Sequence, residues 1–186
     1  MKIGVFCSSS SRMEQKFYDA AQQLGEWIGK SGHTLVYGGS SCGMMEVVAQ
    51  AVHGNGGKVF GVVPRRVVEH NLVSSAIDVV FHCEDLSDRK QWLVQESDVM
   101  LVLPGSVGTL DEAFTAMASN TFEMHKKKCI FYNIDGFFDL LFAFIDTLEG
   151  RGVVNKPWDG VYAKADTLDA VIAAVEQEAA DVPNPS

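Results

Sequence analysis

Long hydrophobic runs are missing from this chain: no stretch approaches the roughly 18 apolar residues of a membrane span. Its first residues, Met1-Lys2-Ile3-Gly4-Val5-Phe6, lack the extended apolar region of a signal peptide and read as a strand that starts the fold. Positive charge is scarce. Fifteen Lys and Arg stand against 24 Asp and Glu, a formal net charge of −9. A surface of that sign repels phosphate polymers and anionic lipid, which argues against a nucleic acid polymer or a membrane as partner. Proline is sparse, five residues against 17 glycines, so tight turns dominate over stiff extended segments. The four cysteines, Cys7, Cys42, Cys83 and Cys129, show no CxxC and no zinc spacing. They read as reduced thiols of a cytoplasmic protein. His33, His53, His70, His82 and His125 form no HExxH or other metal spacing, and no metal is assigned to them.

What is present is a core. The 186 residues are 47% hydrophobic and 21% charged, enough apolar surface for one domain and too little charge for disorder. Short β-branched runs alternate with helical stripes. Strands are expected at Ile3–Cys7, Thr34–Tyr37, Lys58–Val63, Ile77–His82, Val99–Leu103 and Cys129–Asn133. Helices are expected at Met13–Ser31, Met44–Val52, Ser87–Ser97, Thr109–Thr121, Phe137–Glu149 and Asp166–Ala180. The segment with Arg65, Arg66, Glu69, His70 and Asn71 reads as a loop. No shift of composition marks a second domain, so residues 1–180 form a single unit and 181–186 a flexible tail. Strands without clean alternation are buried on both faces, which predicts an α/β fold with a doubly wound, mostly parallel, Rossmann-like sheet. Ligands of such sheets sit beyond the carboxyl ends of the strands.

Four strand ends are rich in small or polar residues: Cys7-Ser8-Ser9-Ser10-Ser11, Gly38-Gly39-Ser40-Ser41-Cys42-Gly43, Glu84 to Lys90, and Pro104-Gly105-Ser106-Val107-Gly108-Thr109-Leu110-Asp111-Glu112. Any one of them by itself reads as helix caps and turns. Together on one sheet edge they predict an anion cradle, with small residues admitting backbone N–H groups and helix N-termini supplying positive potential. Neither GxGxxG nor GxxxxGK[ST] occurs, so a single phosphate fits better than a dinucleotide or triphosphate. Arg89 and Glu112 both lie near helix starts on this edge. A guanidinium and a carboxylate beside a sugar phosphate suit glycosidic cleavage. Taken singly, each also reads as an ordinary helix residue.

These segments resemble the LOG ("lonely guy") family, once labelled putative lysine decarboxylases. Its PGGxGTxxE hallmark is matched by Pro104 to Glu112. Val5 to Ser10 resembles its VFCGSS, Leu35 to Gly39 its LVYGG, Gly61 to Arg65 its GVIPR, Asp85 to Lys90 its MHxRK, and Asn133 to Asp139 its NxDGFYD. The resemblance implies hydrolysis of the N-glycosidic bond of an adenosine-type nucleoside 5'-monophosphate to free base and ribose 5-phosphate. It implies no cofactor and a homodimer. It places the catalytic pair on Arg89 and Glu112. Substrate contacts fall on Gly105, Ser106, Val107, Gly108, Thr109, Leu110 and Asp111, and on Lys90, with Ser9 and Gly39 nearby.

The chain departs from the family at Ser8, within Ser40 to Glu46, at Asn71, at Leu86-Ser87, at Ser106 and at Ala118-Ser119. The catalytic pair is kept and the base pocket is altered. If position 106 needs positive φ, serine there is strained by roughly 1–3 kcal/mol; otherwise its hydroxyl is an added donor. Two further readings remain at this level: a nucleotide-binding module without catalysis, and pyridoxal-phosphate chemistry, for which Lys90 is the one lysine obvious on this edge.

Overall fold

A computed structural model describes residues 1–154 and 157–181. Seven parallel strands form one sheet: β1 (Lys2–Phe6), β2 (Thr34–Tyr37), β3 (Lys58–Pro64), β4 (Val79–Cys83), β5 (Val99–Val102), β6 (Cys129–Tyr132) and β7 (Tyr162–Ala165). The helices are α1 (Gln15–Lys30), α2 (Gly43–Gly54), α3 (Arg65–Glu69), α4 (Leu86–Glu96), α5 (Val107–Thr121), α6 (Asp139–Gly150) and α7 (Leu168–Asp181). The strand order β4-β3-β2-β1-β5-β6-β7 grows outward from β1 in one direction, then restarts from β1 in the other. The doubly wound architecture read from the sequence is the one found.

The sheet is apolar on both faces because helices cover both. Val99, Leu101 and Leu103 point into a core shared with Leu24 and Ile28 of α1, Val48 and Val52 of α2, and Val171 and Val175 of α7. Their neighbours Met100 and Val102 point the opposite way, into a core with Leu93 of α4, Ala113 and Met117 of α5, and Phe142 of α6. This alternation of period two, apolar on each side, is why the strands read as continuous hydrophobic runs.

Two elements differ from the expectation. Residues 65–69 form the short helix α3 rather than a loop, and none of its residues is buried, so no apolar stripe announces it. The strand β7 was not foreseen. Its Tyr-Ala-Lys-Ala sequence sits at a sheet edge, half exposed, and carries little β-propensity. Of the tail expected over 181–186, Asp181 ends α7, and 182–186 lie outside the described residues. No helix among the described residues is long and apolar enough to cross a membrane.

Candidate active site

The strand order reverses between β1 and β5, which pair in register from Ile3↔Val99 to Phe6↔Val102. Their carboxyl ends open the crevice where such sheets bind ligands. Ser8 ties the surrounding loops together. Its N–H donates to the Pro104 carbonyl at 3.3 Å, its carbonyl accepts from the Met44 N–H at 3.0 Å, and its Oγ accepts from the Ser10 N–H at 3.0 Å. Gly43, at φ +58°, lets the start of α2 pass against Ser9 and Ser10.

Arg89 is aimed by a built helix start. Asp85 Oδ1 accepts from the N–H groups of Ser87 (2.7 Å) and Asp88 (2.9 Å), while Asp88 Oδ2 accepts from the Glu84 N–H at 3.0 Å. This reciprocal cap fixes the first turn of α4, which Arg89 completes, its N–H donating to the Asp85 carbonyl at 3.0 Å. Glu112 comes from the inner face of α5 and is 8% exposed. Arg89 Nη1 donates to Glu112 Oε1 at 2.5 Å. Burial raises the Glu112 pKa above the ordinary carboxylate value; the charges of Arg89 and Lys90 oppose that rise without cancelling it. Beneath the pair, burial foremost and the Glu112 charge next push the Cys7 thiol far up, so it is an inert thiol.

The start of α5 is open. Its cap residue Ser106 makes no side-chain capping bond, and the first helical N–H groups have no partner within the helix. Ser106 has φ −102°, so serine at this glycine position of the family hallmark is unstrained and its hydroxyl is free to donate to a ligand. A cavity of about 150 Å³ lies between these groups, lined by Cys7, Ser8, Ser9, Gly38, Met45, Arg89, Ser106, Gly108, Thr109 and Glu112, with Val5 at its base. A larger cavity of about 740 Å³ joins it and shares Ser9, Gly38, Met45 and Arg89. Pro64, Val67, Leu72 and Leu86 give the larger space apolar walls, and Arg65, Arg66 and His70 stand at its rim.

Of the residues singled out from sequence, the structure brings Arg89, Glu112, Ser9, Ser106, Gly108 and Thr109 together around the small cavity. It leaves the other six out of that lining. Gly39, at φ +76°, shapes the turn behind the site, where a β-carbon would meet Val63. Gly105 packs against the Thr109 side chain. Lys90 pairs with Asp111 at 2.8 Å. Val107 points outward at 80% exposure, and Leu110, partly buried, packs against the core beneath α5. Sequence reasoning missed Ser8, Gly38 and Met45. The first two lay within runs already noted for small residues, and Met45 is a core residue that also walls both cavities. Among the described residues no group of three or more His, Cys, Asp or Glu side chains is arranged to hold a metal ion.

Comparison with known proteins agrees with this geometry. The family model described as "Possible lysine decarboxylase" matches residues 45–175. A rice protein named probable cytokinin riboside 5'-monophosphate phosphoribohydrolase LOGL5 is 36% identical, over 95% of this chain and 72% of its own length. The Arabidopsis thaliana cytokinin riboside 5'-monophosphate phosphoribohydrolase LOG3 is 32% identical, over 96% of this chain and 83% of its own. In fold, the molybdenum cofactor carrier protein of Chlamydomonas reinhardtii superposes with a TM-score of 0.76 at 24% identity, covering 97% of this chain and 98% of that one. The molybdenum cofactor binding protein of Rippkaea orientalis gives 0.71 at 23% identity, covering 95% of each. At these identities the two structures speak to the fold alone. With its hallmark segment folded beside a part-buried arginine–glutamate pair and its relatives matched over nearly the whole chain, the protein belongs to the LOG family, the group that carries the older label of possible lysine decarboxylases.

Proposed function

We propose that the protein hydrolyses the N-glycosidic bond of adenine-type nucleoside 5'-monophosphates, AMP or a cytokinin riboside 5'-monophosphate, releasing free base and ribose 5-phosphate. The observation that carries this reading is the part-buried Arg89–Glu112 pair, which lines one cavity with Ser106, Gly108 and Thr109 at the open N-terminus of α5. The 5'-phosphate binds that N-terminus, with the Ser106 and Thr109 hydroxyls and the first N–H groups as donors. The ribose fills the small cavity beside Glu112. The base lies in the larger cavity, whose apolar walls accept a substituent on the adenine amine. The C1'–N bond breaks with its electron pair leaving on the base. The Glu112 carboxylate stabilises the cationic ribosyl carbon and takes a proton from the attacking water, whose oxygen forms the new bond to C1', while the departing base takes up a proton, so that one water is consumed as OH on C1' and H on the base. Arg89 holds the carboxylate in place and offers its remaining N–H groups to substrate oxygens.

We place the working unit as a homodimer in the cytoplasm. An apolar flank along α5 and its C-cap (Val107, Phe114 and the cap residue Phe122), exposed to solvent, supports the first, and four unpaired cysteines support the second. The test is incubation with AMP and its N6-isopentenyl analogue, followed by assay of free base and ribose 5-phosphate. Glu112→Gln is expected to lower release by about 10²–10⁴-fold. Binding of the nucleotide without any turnover by the unaltered protein overturns the enzyme reading and makes this a nucleotide-binding module.

A further inference from the structure

Gly38 is a glycine for a reason its backbone does not supply. Its φ lies outside the left-handed region, unlike Gly39 at +76°. What it lacks is room for a side chain. A β-carbon at position 38 would fall on Nη2 of Arg89, 2.9 Å from its Cζ and 2.8 Å from Cε of Met45. The Met45 methyl can swing away. Nη2 must shift to make room, and the guanidinium that carries it is bonded through Nη1 to Glu112 at 2.5 Å. Its Nε is buried and has no hydrogen-bond partner among the described residues, so among them the bond to Glu112 orients the group.

We infer that Gly38 is a positioning residue: its bare Cα is the seat against which the Nη2 end of the Arg89 guanidinium rests, and this seat sets the distance between Arg89 and Glu112. The catalytic consequence rests on the hydrolase reading above; the seat itself does not. The Ser9, Ser106 and Thr109 side of the small cavity is built on other loops, so an intruding methyl at 38 disturbs the pair and leaves the phosphate cradle intact.

The experiment is a double-mutant cycle of Gly38→Ala and Arg89→Met, read by urea unfolding, by steady-state kinetics, and by the titration of Glu112 in 13C-glutamate-labelled protein. In the Arg89 background, Gly38→Ala is expected to lower kcat on the order of 10²-fold with KM little changed, as a displacement near 1 Å does. It is also expected to move the Glu112 titration upward and to lower the unfolding midpoint. In the Arg89→Met background the same methyl is expected to change neither stability nor titration appreciably. An equal stability loss in both backgrounds, with Glu112 titrating as before, overturns the inference and leaves Gly38 a simple packing residue. Should Gly38→Ala alone fail to fold, folding of the double variant supports the seat, and failure of both overturns it. A parent protein without turnover sinks the hydrolase reading, while the unfolding and titration arms still decide the seat.

Discussion

At the scale of single residues, Glu112 carries opposed demands. Burial raises its pKa, and Arg89 holds the rise in check. The folded chain therefore keeps this proton more tightly than the unfolded chain does. The stability contributed by that proton is fully present below the unfolded value, about 4.3, and is lost as pH rises through the higher folded value. Catalysis has the opposite sign. A carboxylate that stabilises a ribosyl cation must be ionised, so kcat should fall as pH drops through the raised folded pKa. A pH profile of kcat is expected to show its acid limb above the ordinary glutamate range, near 4.3. Arg89→Met removes the opposing charge and should push the limb, or the titration itself, further up. Arg89→Lys keeps the charge without the planar fork and should push it less. An acid limb at or below the range of free glutamate counts against Glu112 as the ionised group.

At the scale of elements, the site depends on α4 being held at both ends. Asp85 and Asp88 cap its start. Lys127, whose burial lowers its pKa, donates to the carbonyls of Val94 (2.8 Å) and Gln95 (3.0 Å) at its end. Asp85→Ala is expected to cost about 1 kcal/mol, within the 0.5–2 kcal/mol usual for a cap. It should also reduce kcat, because Arg89 sits in the turn that the cap fixes. Unchanged unfolding together with unchanged kcat would show that α4 is oriented by packing alone. Much at this scale was legible in the sequence. The apolar runs of β5 and β6 and the small residues ahead of α5 announced themselves. What was not legible was contact between distant residues. Arg89 and Glu112 are 23 apart in sequence, and neither position alone signals the pair. Gly38 and Gly39 look alike in the sequence, yet one answers to a side chain and the other to its own backbone. The Asn133–Asp139 motif stood out as a signature and proves to be a turn: Asn133 donates to Asp139 (2.9 Å) and Asp166 (2.8 Å) and accepts from the Phe138 N–H at 2.8 Å. The exposed helix α3 and the edge strand β7 carry too little buried surface to leave a periodic trace.

At the scale of the whole molecule, two features oppose one another. The net charge of −9 makes copies of the chain repel, while Val107 and Phe122, 80% and 82% exposed, lie with Phe114 along one flank of α5. An apolar strip of this kind on an acidic protein is costly to leave in water, and a two-fold contact through α5 covers it on both copies at once. The homodimer proposed above then has a definite response to salt. Screening weakens the repulsion between the two acidic protomers, and the apolar contact is not weakened by it, so added salt should tighten association rather than loosen it. Sedimentation equilibrium is expected to give twice the 20.3 kDa chain mass, with a dissociation constant that falls from low to moderate salt. Phe122→Glu should restore the single-chain mass. Position 122 lies ten residues beyond Glu112, about 15 Å along the helix, so the substitution leaves the Arg89–Glu112 geometry in place. Activity retained by that monomer would show that each chain carries a complete site. A single-chain mass for the unaltered protein at every salt concentration would overturn the dimer and leave the α5 flank without its proposed partner.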